Sequence, residues 1–252
     1  MPGGAAGWPN PNDAEDVHRI DDLYHASVNG RGKFLAASNP EEFTTGLRSA
    51  LAAIIERTGS FSNVAANSTR IDAGTQLFQA SYVSGVWTGE LKAYAVTTAG
   101  ISDTATWSAS TGIPATGRQI FTSDGSTGTT FPTAAQTAAL ARPGPIAADL
   151  PVVTGADKAA YIAGTRTLEL AKGGTLRNRN HLLGDIVSSS PAYDKATGTL
   201  YVGANDGMLH AFNATDGVER FAYVPAGINF GLLKTLSKPD YAHQYFVDGP
   251  IT

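Results

Sequence analysis

The 252-residue chain has no cysteine, which removes disulfide frameworks, thiol catalysis and cysteine-bound zinc together. Charged residues are only 16%, below the quarter usual for soluble domains. No run of Lys or Arg builds a basic stripe and the formal net charge is −4, so nucleic acid is disfavoured as a partner. No apolar stretch approaches the ~20 residues that cross a bilayer as a helix. The opening, MPGGAAGWPNPNDAED, lacks the charged and apolar regions of a signal peptide, so the chain is either cytoplasmic or lacks its own N-terminus. What is abundant is Gly (28 residues), Ser (17) and Thr (27). That composition suits β-rich, turn-rich structure of the kind often exported, and argues against a helical bundle. The length allows one large or two small domains with a real core.

Residues 1–58 read as helix, strand, helix. Asp13 caps a helix to about Val28, with Val17, Ile20, Tyr24 and Val28 on its apolar face and Asn29-Gly30 as its stop. Lys33 to Ala37 is a short strand. Asn39-Pro40-Glu41-Glu42 then starts a second helix with a cap, a proline at the first helical position and acids in the first turn. One strand cannot make a sheet, so this piece reads as part of an α/β domain.

Residues 60–180 are looser. Thr75 to Tyr82 and Glu90 to Val96 alternate as strands, with Phe78, Ala80 and Tyr82 on one face and Leu91, Ala93 and Ala95 on another. Gln119 to Thr122 is a third short strand. Residues 97–133 hold 16 Ser or Thr and three charges, and read as long loops around short strands. Ala134 to Ala141 and Asp157 to Ala163 are short helices. Residues 181–252 are the most regular. Ile186 to Tyr193, Leu200 to Ala204, Met208 to Asn213 and Val218 to Val224 are four strands, two of them joined by Asn205-Asp206-Gly207 and two by Ala214-Thr215-Asp216-Gly217. These turns supply the positive φ angles that hairpins require. A meander of this kind, about residues 183–225, is one blade of a β-propeller. Phe230 to Leu236 is a short helix and Tyr245 to Val247 begins another strand. A blade's two apolar faces need neighbouring blades, and the chain cannot complete a ring, so it reads as a fragment with bare faces and marginal stability alone.

The stretch LGDIVSSSPAYDKATGTLYVGANDGMLHAFNATDGVERFAYVP, Leu183 to Pro225, resembles the start of the C-terminal propeller of the PilC/PilY family of type IV pilus biogenesis factors and tip-associated adhesins. Five further segments agree in order: GWPNP and IDDLYHASVNGRGKFLAASNPEE before the propeller, WTGELKAY, RQIFT, and YFVDGPIT at Tyr245 to Thr252. The resemblance implies a mainly β fold with an N-terminal α/β piece: an incomplete, quinoprotein-like propeller of antiparallel four-stranded blades. Residues 1–58 would end a von Willebrand A-like domain and its linker, and 59–252 would open the propeller. It also implies a non-enzymatic role in pilus biogenesis and tip adhesion, in an exported protein at the outer membrane or cell surface. Implied partners are the rest of the polypeptide, pilin or minor pilin subunits and a host-surface receptor. The family's Asp-x-Ser-x-Ser metal motif and its closely spaced calcium-loop aspartates do not occur in this sequence. No catalytic, cofactor-binding or metal residue is therefore assigned, and no cofactor is expected in this chain.

Other motifs have plainer readings. His18, Asp21, Asp22 and His25 share one helix at metal-like spacing, but acids near a helix start also complement its dipole. Gly30-Arg31-Gly32-Lys33 lacks the spacing and strand-to-helix setting of a phosphate loop. His181, His210 and His243 sit in separate segments, and His210 reads as a solvated or hydrogen-bonded sheet residue. Asn67-Ser68-Thr69 and Asn213-Ala214-Thr215 fit the glycosylation triplet, a pattern common by chance. Trp87, Phe212 and Tyr223 are expected to pack between blades. Two alternatives stand beside the pilus reading: a quinoprotein-like enzyme fragment and a periplasmic outer-membrane assembly scaffold.

Overall fold

The computed structural model describes Tyr24, Ser27, Asn29, Asn39, Pro40, Glu42 and residues 60–66, 75–142 and 151–251. The chain divides into two compact units, Met1–Thr58 and Gly59–Thr252. In the first, the expected cap is present: the Glu42 amide donates to Asn39 Oδ1 at 2.9 Å, the bond that makes Asn a helix starter. Asn29, the first residue of the expected stop, is still helical. The strand at Lys33 to Ala37 lies outside the described residues.

The second unit is mainly β. Its first sheet is an antiparallel meander of β1 (Ser60–Ala66), β2 (Gln76–Val83), β3 (Thr88–Thr97) and β4 (Gly100–Ser108). The alternation in β2 and β3 has the expected phase, with Phe78, Ala80, Leu91 and Ala93 fully buried. It breaks near the end of β3, where register shifts beside Tyr94 bury Val96 and leave Ala95 half-buried. A short helix, α1 (Ala109–Gly112), follows β4. β4 corrects the reading of residues 97–133 as mostly loop. It is an edge strand exposed along most of its length, so it carries no apolar alternation to read, while Thr favours strands by its branched Cβ.

The second sheet has the order β6-β5-β10-β9-β8-β7. β7 (Ala192–Asp194), β8 (Thr199–Ala204), β9 (Met208–Asn213) and β10 (Glu219–Tyr223) form the expected antiparallel meander. Two findings modify it. The first expected strand shrinks to three residues, because Leu183 to Ile186 are buried as irregular chain. The sheet also gains β5 (Ile120–Ser123), which lies parallel to β10, and β6 (Gly128–Thr130). The strand at 119–122 therefore belongs to the second sheet and not with the strands at 75–82 and 90–96.

Directly opposed residues share a face. Leu200 with Phe212, Val202 with His210, Ala222 and Ile120, and Ala204 with Met208 define one face of the second sheet. Half of that face packs on the first sheet, through Leu200, Val202, Ala204 and Phe212 against Phe78, Leu91 and Trp107. The other half packs under α2 (Ala134–Leu140), α3 (Gly155–Ile162) and α4 (Phe230–Leu233) with the 3-10 turn Lys234–Ser237. Both longer helices begin with a complete capping box, Thr133/Gln136 and Thr154/Asp157. The expectation of two bare faces is corrected: the chain itself covers one. The opposite face is half-exposed and aromatic, with Phe221 5.9 Å from Phe121 and 6.3 Å from Tyr201. The segment at Tyr245 to Val247 forms no strand. It crosses this face at Gly203, where a side chain would meet the Val247 carbonyl 2.6 Å away.

Candidate functional site

The seam between the two apolar cores is filled by charge. His210, on β9, is fully buried, with Val202 of one core and Ala222 of the other as its cross-strand neighbours. Its Nδ1 lies 2.8 Å from Glu219 Oε1, and its Nε2 lies 3.0 Å from Asp206 Oδ2. Both ring nitrogens face carboxylates, so the ring is an imidazolium donating on each side. Burial opposes that charge, but Asp206 and Glu219 outweigh it and lift the pKa to about 9. Arg118 closes the cluster with a two-pronged grip on Glu219, Nε and Nη2 both at 2.7 Å, and Nη1 donates to the Ala163 carbonyl. Burial pushes the Glu219 carboxyl up, while His210 and Arg118 pull it down to about 2. Asp206 also accepts from the Gly184 and Met208 amides. Two cations and two anions therefore balance in a buried seam, and the group clamps the segments at 118, 163, 184, 206–210 and 219.

A second constellation holds the C-terminal segment. Asp185, buried, accepts from Asn205 Nδ2 at 2.9 Å and pairs with His243 Nε2 at 2.7 Å. Burial raises the Asp185 pKa against these partners. His243 stacks on Trp87 with ring centroids 3.8 Å apart. Asn205 Oδ1 accepts from the Phe246 amide, and Asp248 Oδ1 from the Ser188 and Ser189 amides. A third group centres on buried Glu169, gripped by Arg166 and Arg179, with the Arg179 guanidinium 3.7 Å over the Tyr161 ring. Lys158 on α3 is fully buried and its Nζ has no hydrogen-bond partner. Burial, with Lys234 and Arg142 nearby, lowers its pKa.

These places differ from several sequence readings. His210 is hydrogen-bonded as expected but not solvated. Phe212 packs in the first core, whereas Tyr223 lies half-buried on the aromatic face. Trp87 sits in the β2–β3 turn against His243. The core tryptophan is Trp107, whose Nε1 donates to the Ala214 carbonyl at 3.0 Å. Asn213 and Asp216 share a side-chain bond that shapes their hairpin turn. His181 has its Nδ1 buried without a partner. Among the described residues no group of three His, Asp or Glu side chains is arranged to hold a metal, and no helix is long and apolar enough to cross a membrane. His18, Asp21, Asp22, His25, the segment Gly30 to Lys33 and Asn67 to Thr69 lie outside the described residues. Asp206 and Glu219 read as turn and strand-edge residues in the sequence. The available signal was a histidine four residues after an acid across a tight hairpin, but Arg118 is about a hundred residues away and no pattern pointed to it.

The chain is 31% identical over 97% of its length to the type IV pilus biogenesis factor PilY1 of Pseudomonas aeruginosa strain UCBPP-PA14, covering 25% of that protein. It is 32% identical over 87% of its length to a PilY1 homolog of Xylella fastidiosa strain Temecula1, covering 19% of that relative. A further match to a PilY1 homolog of the same strain is 57% identical over 53 residues. No family model matches the chain, and no solved structure matches it significantly. The chain spans about a quarter of the length of the curated relatives it matches. Similarity at this level, sustained over almost the whole chain, places it in the PilC/PilY family of type IV pilus biogenesis factors.

Proposed function

We propose that this chain serves type IV pilus biogenesis as a non-enzymatic contact module. The observation that carries the reading is the 31% identity, over 97% of the chain, to a protein named a type IV pilus biogenesis factor. The seam supports a structural role, since its ionised groups are spent on one another and on backbone amides. In this reading the two meanders are successive propeller-type blades, residues 1–58 belong to an A-like domain and its linker, and the aromatic face of the second sheet is the contact surface. Partners are other parts of a longer polypeptide, pilin or minor pilin subunits and a host-surface receptor. The site of action is the exported pilus tip at the cell surface, and this chain needs no cofactor.

The test is genetic. Deleting the gene in its native host should abolish surface pili, counted by electron microscopy, and the wild-type gene should restore them. A Phe121→Asp, Phe221→Asp double variant should retain its expression level and fail to restore them. Normal piliation in the deletion strain sinks the biogenesis role, and full rescue by the double variant sinks the contact surface.

A further inference from the structure

Three chain segments converge beside the β2–β3 turn and leave an open groove of 240 Å³, walled by Trp87, Tyr241, Arg177, Asn178, Asn180 and Asp240. That volume falls just below the ~300 Å³ at which clefts for drug-sized ligands begin, so it suits one ring-sized molecule.

The two aromatic walls are fixed rather than loose. Trp87 stacks on His243 across one ring face, which leaves its exposed remainder on the other side. The Arg177 guanidinium sits 4.5 Å over Tyr241, and the Tyr241 hydroxyl accepts from the Gln244 amide at 2.9 Å. Trp87 also holds a left-handed backbone, φ 54, the only such residue besides glycine among those described. A bulky side chain there is strained, and strain of this kind gathers at ligand clamps.

The polar rim has capacity to spare. The Asn180 side chain makes no hydrogen bond. Asn178 uses only its Oδ1, accepting from the Ala171 amide, so its two Nδ2 donors are free. The Asp240 carboxylate is 78% exposed, with only Lys238 at 3.7 Å. The walls carry one charge of each sign, Arg177 and Asp240, rather than a cluster of one sign. Carboxamides and a carboxylate side by side donate to and accept from adjacent hydroxyls. Flat aromatic walls receive the C–H face of a saturated ring.

We propose that this groove is a carbohydrate subsite that takes one neutral pyranose ring, with its C–H face toward Trp87 and its hydroxyls on Asn178, Asn180 and Asp240. It stands apart from the pilus reading, because neither the seam nor the aromatic sheet face enters it.

The full chain is titrated with the methyl pyranosides of glucose, galactose, mannose and N-acetylglucosamine, with sialic acid as the charged control. Binding is followed by saturation-transfer NMR and by tryptophan fluorescence. Saturable millimolar binding of at least one neutral pyranoside is expected. Asn180→Ala and Asp240→Ala, both at exposed side chains, should each weaken it about five- to tenfold, the loss of one hydrogen bond, with an unchanged melting curve. Trp87→Ala should remove it. A glycan array then separates sources, since binding to displayed chains and to free monosaccharide are both consistent with the subsite. No saturation by any neutral sugar, binding confined to sialic acid, or binding indifferent to Asn180→Ala and Asp240→Ala overturns the proposal. If Trp87→Ala fails to fold, the two exposed variants still decide.

Discussion

The two sheets of the second unit meet on one face but are held differently. The first offers mainly apolar side chains, Phe78, Ala80, Leu91 and Ala93, to its partner. The second sheet must satisfy two neighbours on the same face, the first sheet and a helical layer, and between them it buries a balanced set of charges. Apolar packing tolerates sliding as long as volume is kept, whereas charges out of water tolerate only the geometry that pairs them. The seam therefore specifies where the helical layer sits relative to the first sheet, a task that hydrophobic burial performs poorly.

The sharpest way to break this comparison is Arg118→Ala. It leaves Glu219 buried with His210 alone and frees the Ala163 carbonyl. Breaking a buried pair costs about 3–5 kcal/mol, a large part of a domain's whole stability. Chemical denaturation should show that loss. A change below about 1 kcal/mol would mean that the cluster is solvated and the seam is not dry.

A smaller effect comes from pH. The pKa of His210 in the folded chain is about 9 against an ordinary 6.5, so its contribution is complete below pH 6.5 and is lost as pH rises through 9. Glu219 is held at about 2 against an ordinary 4.5, so its contribution is complete above pH 4.5 and is lost as pH falls through 2. The contribution of His210 and Glu219 should be flat between pH 4.5 and 6.5 and should decline toward pH 9, taking the melting temperature down with it there. In His210→Gln the alkaline decline should flatten. An undiminished decline in that variant would place its cause outside the seam.

Much of the second sheet was legible because local rules governed it. Asn205-Asp206-Gly207 required a hairpin, and Met208 to Asn213 is the strand that leaves it. The helix starts at Thr133 and Thr154 are likewise local. What could not be read depends on distant chain. β5 gives no sign in its own residues that it will lie parallel to β10, and β4 is nearly all Ser, Thr and exposed positions. The seam was hidden for the same reason. Its acids sit in turn and strand positions where solvated acids are also common, and only the arrival of Arg118 completes them.

The smallest effect tests whether the two cores are separate units of stability. The Thr133 side chain accepts from the Gln136 amide, and Gln136 answers through Oε1 to the Thr133 amide. Gln136 also donates from Nε2 to Thr122, whose hydroxyl donates to the Val224 carbonyl, so this one helix start is tied to both β5 and the end of β10. Thr133→Ala removes the cap and should cost about 1 kcal/mol. Helix α2 covers only the second core, so the loss should appear as faster amide hydrogen exchange in α2, β5 and β10, with β2 and β3 unchanged. Equal acceleration in β2 and β3 would mean that both cores open together, and the charged seam would then be the bond that makes them one unit rather than the boundary between two.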